Sequence, residues 1–122
     1  MMMTANPNVS RRRVPRRYFD SPVGILVKGE YTINRAYQVG EGGMMVDLKS
    51  KTLKEGDRMA ASFYLPGGKL ILVRGIVRAV VPAKDGKPQR YGIEFVELDF
   101  HFKREIRNFV AAATRADGQL VA

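Results

Sequence analysis

Five arginines stand within seven residues, Arg11, Arg12, Arg13, Arg16 and Arg17, interrupted only by Val14 and Pro15. A guanidinium is planar, always charged, and presents its donors as a fork that fits a phosphate, or the O6/N7 edge of guanine, through two parallel bonds. Lysine cannot imitate that fork, and no lysine shares the run. Pro15 fixes its own φ and pushes Val14 toward extended geometry, so the basic segment is stiffened and better organised for a single anion. Residue types alone leave two readings: a clamp shaped for one anion, or an arm that holds nucleic acid without regard to sequence. Tyr18 and Phe19 follow at once, and each could stack on a purine or sit at the rim of a core.

Other chemistry has little to work with. His101 is the one histidine, and its place at the start of a helical pattern offers no Ser or Asp arrangement for a triad. Cysteine is absent and the carboxylates are scattered, which leaves no metal-ligand spacing, no disulfide and no thiolate chemistry. Gly40-Glu41-Gly42-Gly43 lacks the Lys-Ser/Thr pair and the following helix of a phosphate-cradling loop, and reads as a tight turn at the start of a strand. Glu55 and Asp57 fall in a turn and read as solvated. The chain is therefore expected to bind rather than to catalyse, with no cofactor and no metal.

These residues must be positioned by a small domain. The chain has 122 residues, 45% of them apolar, and a net charge of +9, of which the segment ahead of Val23 supplies four units, five Arg less Asp20. One domain with a modest core and an anionic partner is the natural inference. The opening MMMTANPNVS lacks the features of a targeting segment, and the apolar runs are too short to span a bilayer, so a soluble cytoplasmic protein without membrane insertion is expected. Val23, Ile25 and Val27 alternate with other residues, as do Met59, Ala61, Phe63 and Leu65, and Tyr91, Ile93 and Phe95. Tyr31 to Val39, Met44 to Leu48 and Leu70 to Val81 are further strand candidates. Gly67-Gly68 and Asp85-Gly86 mark reversals, and Leu53 to Asp57 an exposed turn. Six strands with glycine turns predict a mainly β chain, a six-stranded antiparallel barrel. Phe102, Ile106, Phe109, Val110 and Ala113 then lie on one face of a C-terminal amphipathic α-helix, with Asp99 as its N-cap and Gly118 beyond its end.

On these motifs the sequence resembles the PilZ domains, bacterial receptors for the second messenger cyclic di-GMP. Arg12-Arg13-Val14-Pro15-Arg16 fits the family's arginine-x-x-x-arginine motif ahead of the first barrel strand, with Arg13 and Arg17 as an alternative register. Gln38-Val39-Gly40-Glu41-Gly42-Gly43 occupies the place of its Asp/Asn-x-Ser-x-x-Gly motif, and of the three defining residues only Gly43 matches. Leu65-Pro66-Gly67-Gly68, Gly75-x-Val77-x-x-Val80 and Tyr91-Gly92-Ile93-Glu94-Phe95-Val96 are also family-like.

The resemblance implies a PilZ-like barrel plus helix over 22–114, a ligand-binding arm over 11–21, and flexible ends at 1–10 and 115–122. It implies a single-domain cyclic di-GMP effector in which Arg12, Arg13, Arg16, Arg17, Gln38, Gly40 and Gly43 contact the ligand, and an unidentified protein partner receives the signal, in the family commonly one of motility. Two alternatives stand beside it. One is a degenerate member that has lost the nucleotide and serves as a protein-interaction adaptor; the other is a small basic barrel for nucleic acid, which is not the expected partner.

Overall fold

The alternating segments become six strands followed by one helix: β1 Arg16–Val27, β2 Glu30–Gly40, β3 Gly43–Asp47, β4 Arg58–Leu65, β5 Lys69–Val81, β6 Arg90–Val96 and α1 Phe100–Val121. The structure, a computed structural model, describes residues 16–48, 53–82, 84 and 89–121, the side chains of 113–121 excepted. All pairings are antiparallel and the strands close into a barrel in the order β1-β2-β3-β6-β5-β4. Closure satisfies the backbone donors and acceptors that an open sheet would leave along its edges.

Inward residues of every strand meet in one core. Ile25, Val39, Val46, Ile71 and Val77 are fully buried there, and α1 adds Ile106 and Val110 to the same cluster. Period-two alternation thus supplies the wall, and the helical spacing of Ile106 and Val110 supplies one covering face.

β1 is longer than the barrel needs. It pairs with β2 from Arg16 to Val27 but with β4 only over Val23 to Leu26. Its first half therefore has a strand on one side only, and α1 packs beside it, Phe109 against Phe19 with ring centroids 5.8 Å apart. A bulge between Tyr18 and Ser21 shifts the register of this half against β2.

The turns follow their chemistry. Gly67 and Gly68 adopt φ of 101° and 91°, and the Gly68 amide donates to the Leu65 carbonyl at 3.0 Å. Lys28 and Gly29, at φ 52° and 77°, form the two-residue link between β1 and β2, a hairpin that the sequence pattern did not single out. Asp85-Gly86 lies outside the described residues. Asp99 caps the helix as expected, its Oδ1 accepting from the His101 amide at 2.8 Å.

Three expectations need correction. β1 begins at Arg16, so the second half of the arm assigned to 11–21 is strand, extended by pairing with β2. The helix runs through Gly118 to Val121 where a flexible tail over 115–122 was expected; glycine costs a helix about 1 kcal/mol relative to alanine, which weakens it without stopping it. Leu53 is not part of an exposed turn: it is 2% exposed and belongs to the core. The turn proper is Lys54 to Asp57, where the Asp57 carboxylate accepts from the Lys54 amide at 2.9 Å. That bond, aided by Lys28, holds the Asp57 carboxyl below its usual pKa.

The buried Tyr91 explains the anchoring of Leu53. Its hydroxyl accepts from the Leu53 amide at 3.1 Å and donates to Gln89 Oε1 at 3.1 Å. Tyr91→Phe strands a buried amide, and urea unfolding is expected to show a loss of about 1–3 kcal/mol. A variant as stable as the wild type would show that Leu53 is held by packing alone.

Candidate functional site

Cross-strand register brings the two motifs together. Arg16 lies opposite Gly40, Arg17 opposite Val39, and Tyr18 opposite Gln38. Facing residues of an antiparallel pair share a face of the sheet, so Arg16, Tyr18, Gln38 and Gly40 share one face while Arg17 and Val39 turn to the other; on that first face Arg16 and Tyr18 are exposed, Gln38 is half-buried and Gly40 is buried. Arg16 is exposed and Tyr18 is 79% exposed, an unusual setting for a large aromatic ring. Phe19 has no such freedom, because it sits edge-on to both Phe63 and Phe109, each at 5.8 Å.

Arg17, expected among the ligand contacts, is engaged elsewhere. Its Nη1 donates to the Phe109 carbonyl at 3.0 Å and its guanidinium lies 4.0 Å from the Phe109 ring centroid. Strand alternation is the reason: one step along β1 reverses the face, so two adjacent arginines cannot serve one surface. Arg12 and Arg13 lie outside the described residues.

The turn between β2 and β3 is held from both sides. Gly42 accepts from the Phe95 amide at 2.9 Å, and Glu41 Oε1 receives both Nε and Nη2 of Arg107, at 3.0 and 2.9 Å. The contact to Glu41 raises the Arg107 pKa further above its already high value. Gly43 begins β3 opposite Glu94, and a Cβ there would come within 2.1 Å of the Ile93 carbonyl oxygen. Gly42 has open space where a Cβ would go. Gly43 is therefore required by close backbone approach, and Gly42 is not.

The outer row continues from Tyr18 and Gln38 through Met45 to Gly92. Beside it Arg90 lies 4.4 Å over the Tyr37 ring, with its Nε 3.6 Å from Asp47 Oδ1. Arg90 is a cation near Gln38 that the sequence reading missed. Its only signal was register, since fifty-two residues separate it from Gln38 and a bulge after Ala36 brings Tyr37 beneath it.

A hollow of about 420 Å³ lies farther along β1, lined by Gly24, Leu26, Tyr31, Ser62 and Leu72 among others. It is mostly apolar, with Arg74, Glu97 and Asp99 also in its lining, and Gly24 is eight residues from Arg16 along the strand. Among the described residues no group of three His, Asp or Glu side chains converges on a metal position, and no helix is long and apolar enough to cross a membrane.

Comparison with known proteins gives concordant findings. A sequence profile of the PilZ domain matches residues 10–112. An uncharacterized protein of Aquifex aeolicus is 26% identical over 102 residues, 84% of this chain and 49% of that protein, so the chain spans about half the length of this curated relative. The inhibitor of motility MotI/DgrA of Bacillus subtilis superposes with a TM-score of 0.79 at 17% identity, over 87% of this chain and 52% of that one. The PilZ domain of YcgR from Escherichia coli, solved with c-di-GMP, gives 0.71 at 18% identity over 91% and 97%. At such identities the structural likeness is one of fold.

The two glycines of the turn make a paired test. Gly43→Ala is expected to lower unfolding free energy by about 2–3 kcal/mol, because the obstructing atom belongs to backbone that cannot step aside. Gly42→Ala is expected to stay within about 0.5 kcal/mol of the wild type. Equal effects, measured by denaturant unfolding, would remove the close-approach argument.

Proposed function

Because the chain belongs to the PilZ domain family, we propose that it is a non-enzymatic receptor for cyclic di-GMP whose occupancy is passed to a protein partner in bacterial signalling. The observation that carries this reading is the pairing of the exposed Arg16 with Gly40 and of the exposed Tyr18 with the half-buried Gln38 on one face of the sheet. A dianionic dinucleotide needs cations for its phosphates, forked donors for guanine edges and flat surfaces for its purines, and this face offers residues of each kind.

The commitment of Arg17 to Phe109 favours the register of Arg12 and Arg16 as the clamp over the alternative of Arg13 and Arg17. The Gln38 amide can accept from guanine N1–H and donate to O6, which partly replaces the family's Asp or Asn. Gly40 has no hydroxyl to offer, a loss of about 0.5–1.5 kcal/mol, and with the change at Gln38 the deficit reaches about 2–4 kcal/mol, or about 30- to 1000-fold in affinity. A purine stacked on Tyr18 regains about 1–3 kcal/mol of it.

The missing hydroxyl also supports a second reading, a member of the family that acts as a protein-interaction adaptor without nucleotide. Capture of a partner in the absence of cyclic di-GMP, unchanged when Arg12 and Arg16 are neutralised, would favour it.

Isothermal titration with cyclic di-GMP is expected to show saturable binding. Arg16→Ala should weaken it at least about 30-fold, the cost of removing one partner of a charged contact. Tyr18→Ala should weaken it about 5- to 100-fold, and Tyr18→Phe, which keeps the ring, should bind like the wild type. Absence of heat from the wild-type protein at ligand concentrations well above micromolar would sink the nucleotide reading.

A further inference from the structure

α1 is fastened to both halves of the arginine surface by neighbouring residues. From β1, Arg17 bonds the Phe109 carbonyl and covers its ring; from the β2–β3 turn, Glu41 holds Arg107 by two donors on one carboxylate oxygen. Arg17 is the chain neighbour of Arg16 and Glu41 the neighbour of Gly40, and Arg16 and Gly40 face one another across the ladder. Arg16 and Gly40 are thus each one peptide away from a residue that grips the same short stretch of helix, 107–109.

The two grips are not idle packing. The first half of β1 has no β4 partner, so Arg17 and Phe19 supply its contacts on that side, through Phe109. The Arg107–Glu41 contact spans sixty-six residues of sequence and joins an exposed turn to an exposed helix face. Its Glu41 side chain is 24% exposed and its Arg107 side chain 55%, so the contact is a half-exposed one.

We propose that α1 is the regulatory element of the nucleotide site: seated on the core by Ile106 and Val110 and fastened at its 107–109 stretch by Arg17–Phe109 and Glu41–Arg107, it holds Arg16 and Gly40 in register for the ligand, so that occupancy and a tightly docked helix strengthen one another. Arg17, Glu41 and Arg107 are positioning residues in this scheme. The inference rests on the nucleotide reading given above and deepens it by naming how the site communicates. Its sign follows from preorganisation: a docked helix fixes the backbone on either side of the ligand, undocking frees it, and a ligand that prefers the fixed state must favour docking by the same factor. The helix face that responds is the surface through which a partner would sense the nucleotide.

Two measurements test this on the whole protein. The first is amide hydrogen exchange of 106–112 in the wild type with and without cyclic di-GMP, which needs no variant. Slower exchange in the presence of ligand is expected. The second is titration of Glu41→Gln, Arg107→Gln and the double variant, all surface changes whose folding is checked by thermal unfolding. Each single change is expected to weaken binding about 2- to 5-fold, and the double no more than either single, because both remove one shared contact. Wild-type binding with unchanged exchange and unchanged variant affinities would overturn the helix as regulator while leaving the receptor intact. Additive losses in the double variant would also overturn it, since they would mean that Glu41 and Arg107 act separately on the ligand. No binding by the wild type would overturn the receptor reading, and this inference with it.

Discussion

Side chains on an extended strand point alternately to opposite faces, and at the start of β1 that geometry separates Arg16 from Arg17, although the two are adjacent and chemically identical. Arg16 is delivered to solvent opposite Gly40; Arg17 is delivered to the helix. Much of the local architecture follows. The inward step also sends Phe19 between Phe63 and Phe109, so the half of β1 that lacks a second strand is closed by an aromatic and cationic contact to α1. An uncovered strand edge invites pairing with other chains, and here the helix lies against the exposed side.

The second motif divides along the same line between what the barrel demands and what the outer face allows. Gly43 is fixed by the Ile93 carbonyl oxygen, whatever the protein binds. Gln38 is half-buried opposite the exposed Tyr18, and the buried Gly40 lies across from the exposed Arg16. The motif residue that matches the family is therefore one that the fold itself constrains.

Sequence periodicity carried most of the fold because barrel strands bury one face, and burying one face writes an alternation that can be read without knowing the neighbours. The runs around Ile25, Phe63 and Ile93 were legible in this way, and so was Asp99, because a helix cap is a local bond. What stayed hidden was tertiary. Nothing in the spacing of Leu53 revealed that Tyr91 would reach its amide from another strand, and nothing in the arginine run told which arginine would meet a helix that lies ninety-two residues on. Arg90 was missed for the same reason. The helix passed Gly118 because a modest local cost does not fix a boundary.

Charge placement helps to choose among anions. On the barrel, cations and carboxylates are interleaved: Arg35 meets Asp20, Lys28 meets Asp57, Arg74 meets Glu97, Arg78 meets Glu94 and Arg90 meets Asp47. Such exposed pairs contribute little to stability, but they set the local potential. A nucleic acid strand requires a continuous basic track for successive phosphates, and carboxylates set among the cations break it. The excess of +9 is instead weighted toward the arginines that lead into β1. A charge excess concentrated in one stretch of sequence matches a compact anion, within reach of two or three guanidinium groups, better than it matches a polymer.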